Sequence, residues 1–97
     1  MVGLVLPTAA AARISAKSWA TGKITRVNAD DIAVRGTVSI MFTNANGHGS
    51  TAKSTLDGTR LLVCDVGNAS IVRGYRVRNN VSIVCSGGVL TRIVHVG

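Results

Sequence analysis

The chain has 97 residues, 46% of them hydrophobic but only 3% aromatic, so it forms one domain whose core is small and built of short aliphatic side chains. Eleven Lys and Arg stand against four Asp and no Glu, a formal charge of +7, which makes the expected partners anionic: nucleic acid, or the acidic surface of another protein. No apolar run approaches the roughly 20 residues of a spanning helix, so no membrane partner is expected.

Residues 1–22 read as an N-terminal arm. Val2 to Leu6 is expected to be extended, Pro7-Thr8 is a helix start, and Ala9 to Ala12 a short helical turn. The Ala- and Ser-rich composition, with Arg13, Lys17 and no acid before Asp30, is also that of a mitochondrial presequence. The arm is the reading adopted, with no cleaved signal.

Residues 23–97 read as a single β-domain. Lys23 to Asn28 alternates polar and apolar residues, the pattern of a half-buried strand, and Ala29-Asp30 is a turn. Asp31 to Thr43 is expected to form one long strand or two, with a bulge or bend at Gly36. Asn44 to Gly58 lacks periodicity and is expected to be a long loop. Val34 to Ile40 and Val77 to Ile83 both read V-R-x-x-V-S-I, a faint echo that places a second turn or bulge near Gly36-Thr37.

The C-terminal part carries three two-residue turn signals: Gly67-Asn68, Asn79-Asn80 and Gly87-Gly88. Taken as hairpin turns, they divide residues 60–96 into a four-stranded meander and fix its register. Arg76 then faces Ile83, Cys64 faces Ile71, Cys85 faces Leu90 and Ile83 faces Arg92. In that register neither face is polar, whereas a lone antiparallel sheet shows one polar face. The fold class is therefore all-β, a small antiparallel sandwich or barrel of about six to seven strands. Its uncovered apolar face points to an obligate homo-oligomer. The same register sets Cys64 and Cys85 roughly 10 Å apart, two strand spacings, too far for a disulfide. Two free cysteines fit a reducing compartment.

No catalytic set emerges. Gly47 to Ser54 matches the phosphate-gripping pattern G-x-x-x-x-G-K-[ST] except at Ala52, and Gly58 interrupts the helix that such a loop needs. His48 and His95 have no metal-ligand spacing with each other or with the cysteines, and no carboxylate pair shares a cleft. No enzyme activity, cofactor or small-molecule substrate is expected.

Two functional classes remain. The first is a structural protein that assembles with its own copies and a larger acidic partner, as capsid, cement or tail components of virus and phage particles do, with the virion or cytoplasm as its location. The second is a basic β-barrel that binds nucleic acid through phosphates, of ribosomal or oligonucleotide-binding type. In both, the candidate interface or anion contacts are Arg73, Arg76, Arg78, Arg92 and Lys53.

Overall fold

The computed structural model describes residues 16–42 and 52–97; the helical turn expected at 9–12 and the loop tip at 43–51 lie outside them. The fold is all-β. Its six strands are β1 (Ala16–Val27), β2 (Asp31–Phe42), β3 (Ala52–Thr55), β4 (Arg60–Asp65), β5 (Asn80–Ser86) and β6 (Val89–His95). They form one mixed sheet in the order β1-β5-β6-β4-β2-β3, and β1 also pairs with β2. Hydrogen bonding therefore runs round a ring of five strands with β3 appended to β2. The ring falls short of a true barrel, because β4 and β6 meet through a single parallel bridge, Asp65 with Val89.

Alternation decides which side of each strand faces inward. On β1 the side chains of Ser18, Ala20 and Ile24 are buried while Lys17, Thr21 and Lys23 are exposed. On β2 Ile32, Val34 and Val38 are buried, and on β5 Val81, Ile83 and Cys85. These inner faces, with Cys64, Leu90 and Ile93, make one core. Curling the sheet onto itself gives each strand an inner and an outer face, so a small aliphatic set suffices to fill the interior.

The β1–β2 hairpin is the longest piece of continuous structure. Its turn is built by Asn28, whose side-chain Oδ1 accepts the N–H groups of Asp30 (2.7 Å) and Asp31 (2.8 Å), an Asx turn. Arg26 closes the same turn by a bidentate pair to Asp31 at 2.9 and 2.8 Å. β1 begins at Ala16, ahead of the start expected at Lys23. The irregularity expected at Gly36 falls on the partner strand, between Ile24 and Arg26, while β2 runs through Gly36 unbroken. Gly36 lies directly opposite Gly22, and a Cβ on either would overlap the backbone carbonyl of the facing strand. Both positions therefore require glycine because two backbones pass too close for a side chain.

The C-terminal meander is the main correction. Gly87-Gly88, at φ +60° and +84°, does join β5 to β6 as a hairpin, and Cys85 does pair with Leu90. The strand expected between Gly67-Asn68 and Asn79-Asn80 does not exist. Asn68 caps a 3₁₀ helix, Ala69–Val72, by accepting from the Ser70 N–H at 3.1 Å and from the Ser70 hydroxyl at 2.8 Å. Asn79 accepts from the Arg76 N–H at 2.8 Å, a local turn that leads into β5. Both asparagines satisfy neighbouring backbone instead of turning a two-strand ribbon. The two V-R-x-x-V-S-I segments accordingly differ, one lying within β2 and the other a turn followed by β5.

Further register consequences follow. A shift between Val84 and Cys85 sets Ile83 against Ile93 and Val84 against Arg92, so Arg92 leaves the face shared with Ile83. Cys64 and Cys85 both point into the core, and with no strand between 69 and 78 to separate them they form a disulfide, Cα to Cα 6.5 Å. The expectation of free thiols, and with it the argument for a reducing compartment, is withdrawn. Residues 52–58, expected within a long loop, instead include β3 and a turn at Gly58, φ +73°. The inner faces bury one another, while Leu61, Val63, Val77, Val89, Val94 and Val96 remain exposed on the surface.

Candidate functional site

One cleft stands out among the described residues. It holds about 620 Å³ and lies at the end of the ring where β4 and β5 begin, lined by residues around Gly22–Gly36 together with Thr59, Val77, Arg78 and Asn80. Three of its lining residues are cationic, Lys23, Arg35 and Arg78, and none is acidic.

Each cation is delivered by a different piece of the fold. Lys23 and Arg35 are direct cross-strand partners in the β1–β2 hairpin, both exposed, and like charges placed opposite each other on paired strands repel. Arg78 comes from the link between the 3₁₀ helix and β5. Its φ of +80° makes it the one non-glycine residue with positive φ among the described residues, a conformation an arginine adopts only when its surroundings impose it. Arg78 is the third residue of a β-turn closed by the Asn79 N–H to the Arg76 carbonyl at 3.0 Å, the position at which a type II turn has φ near +80°. Two backbone hydrogen bonds tie that turn to β1: the Arg78 N–H donates to the Ile24 carbonyl at 2.8 Å, and the Ile24 N–H to the Asn79 carbonyl at 3.0 Å. Among the described residues the single ion pair is Arg26 with Asp31, so the three cleft cations have no carboxylate partner there.

Beyond the cleft, the outer face of β1 continues with Thr21, Trp19 and Lys17. Thr21 donates to Ser82 of β5 at 3.3 Å. The Lys53 ammonium from β3 lies 4.5 Å over the Trp19 ring, a cation–π contact. Three of the four acids, Asp30, Asp31 and Asp65, lie at the other end of the ring, while Asp57 sits in the turn before β4. β4 runs from Arg60, opposite Gly36, to Asp65, opposite Asp31, a span of roughly 16 Å at strand rise.

Of the five contacts expected from sequence, Arg78 lines the cleft and Lys53 sits over Trp19. Arg73 follows the 3₁₀ helix, Arg76 lies in the turn before β5, and Arg92 is on β6; all three are exposed. The structure does not draw the five into one cluster. Lys23 and Arg35 are not among those five, and counting back from the Asn28 turn would set Lys23 against Gly36; the bulge between Ile24 and Arg26 shifts the register by one and brings Lys23 opposite Arg35. The near-motif at 47–54 ends in β3, a strand where a phosphate loop needs a helix. No helix among the described residues is long and apolar enough to cross a membrane, and no three His, Cys, Asp or Glu among them could hold a metal ion.

Compared with protein-family models, with curated proteins and with solved structures, the chain matches none.

Proposed function

We propose that this protein is a non-enzymatic binding module for nucleic acid, holding phosphates on the cationic outer surface of β1 and β2. The observation that carries this reading is the cleft. Two cations face each other across a strand pair and a third occupies a strained backbone position, two local costs at one place with no ion pair in return. Such costs concentrate where a ligand repays them. An anion among Lys23, Arg35 and Arg78 would convert the repulsion into attraction, and the +7 charge would draw a polyanion in from a distance. A partly open ring of five strands is an architecture that oligonucleotide-binding proteins also use, although a fold by itself assigns no function.

Self-assembly, on its own or in a virus-like particle, is the second reading. It is favoured by aliphatic side chains left on the surface, among them Leu61 at 53% exposed and Val63 at 45% on one face of β4. Sedimentation velocity with and without single-stranded and duplex DNA, at low and moderate salt, separates the two. The nucleic-acid reading expects a small species that shifts on adding DNA and returns as salt rises; a salt-resistant oligomer indifferent to DNA would overturn it and leave assembly.

A further inference from the structure

The cleft's shape is more specific than its charge. A volume of about 620 Å³ lies within the range of roughly 300–1,000 Å³ typical of small-ligand pockets and exceeds what a bare phosphate contact needs. Its lining includes Gly22 and Gly36, paired across the hairpin and devoid of side chains. To one side stands Val77, 50% exposed, with the Arg78 backbone next to it. Hydrogen-bonding groups are supplied by Thr59 and Asn80. A lining that combines three cations with bare glycine backbone and the aliphatic residues Ile24 and Val77 suits a group that is anionic at one end and flat and weakly polar at the other.

We infer that this cleft seats a single nucleotide of a single-stranded nucleic acid. Its phosphate would lie among Lys23, Arg35 and Arg78, its base over the Gly22–Gly36 backbone against Val77. The inference rests on the nucleic-acid reading above and sharpens it, because a duplex keeps its bases in the stack and offers a recess only phosphates, whereas a single strand can turn a base in. The strain at Arg78 then has a purpose. An ordinary right-handed or extended backbone at that position would redirect the chain joining the 3₁₀ helix to β5, and the guanidinium with it.

Arg78 also supplies an unusually clean test. Glycine accepts positive φ without strain, so Arg78→Gly should fold with an unchanged or raised melting temperature while losing one cation from the cleft. Binding of a labelled oligothymidylate of about ten nucleotides and of a matching duplex is measured by fluorescence anisotropy across a salt series, for the wild type, Arg78→Gly, Arg35→Ala and Arg92→Ala. The expected result is preference for the single strand in the wild type and a loss of roughly five- to tenfold in Arg78→Gly and in Arg35→Ala. The slope of log affinity against log salt should also fall by roughly 0.7 for each cleft cation removed. Arg92→Ala, on β6 away from the cleft lining, should change binding less. Undiminished single-strand binding by a well-folded Arg78→Gly, or equal affinity for single strand and duplex, would overturn the nucleotide seat while leaving nucleic-acid binding intact. Failure of the wild type to bind either form would overturn both.

Discussion

The two ends of the strand ring are built on opposite principles. At the end where β4 finishes, Asp31 and Asp65 sit in register, Arg26 neutralises Asp31, and the Asp65 N–H reaches the Gly88 carbonyl at 2.8 Å. The Val66 N–H reaches Asp30 at 2.8 Å, and the disulfide lies one residue away at Cys64. One of the three carboxylates there is paired, and backbone groups are tied. At the end where β4 starts, cations face cations and an arginine holds a left-handed backbone. The disulfide and the ion pair thus gather at one end, and the positive-φ arginine with three unpaired cations at the other, the division expected when one end holds the fold and the other does the binding.

The largest break in that arrangement should come from the close approach of the hairpin strands. Gly36→Ala places a Cβ against the Thr21 carbonyl and the Gly22 backbone, neither of which can swing aside, and should destabilise the protein by about 3 kcal/mol or more, measured by urea denaturation. Next comes the disulfide. The β4–β6 closure has one bridge pair where β1 and β2 are in register along nearly their whole length, so Cys64–Cys85 is the strap across the weak seam. Replacing both cysteines with serine should cost about 3 kcal/mol for a loop of this length, closed across 21 positions. Amide exchange should quicken in β4 and β6 more than in β1 and β2, while nucleic-acid affinity at a temperature where the variant is folded should be unchanged. Uniform acceleration across all strands would contradict the seam.

The smallest effect belongs to the surface pair. Arg26 is 55% exposed, so Arg26→Ala should lower stability by less than about 1 kcal/mol, with the loss shrinking as salt is raised. A loss of several kcal/mol would mean that the acid-bearing end depends on that pair far more than its solvent exposure implies.

How much of this was legible in the chain differs by residue. The all-β class and the Gly87-Gly88 hairpin were, because strict alternation and a two-glycine turn act locally. The Asn68 and Asn79 turns were misread, since an asparagine between apolar runs can turn a ribbon or cap a helix, and only its partners decide which. That error created a strand, and the strand separated two cysteines that the curled sheet brings together. Curvature was the missing quantity: strand spacing is additive in a flat sheet and not in a closed ring, where β4 and β5 face each other across the interior. The candidate site was half legible. Arg78 was singled out for its charge, but its positive φ belongs to a turn closed between Arg76 and Asn79 and tied to Ile24, more than fifty positions away, and Lys23 with Arg35 become neighbours only through the bulged hairpin register.

The binding claim is tested most directly by mapping amide chemical shifts of the wild-type protein during titration with oligothymidylate. The account predicts that the perturbed amides centre on Lys23, Arg35, Arg78 and Asn80, with Asp31, Asp65 and Val89 at the far end unmoved. Shifts centred on Leu61 and Val63, or none at all, would contradict it.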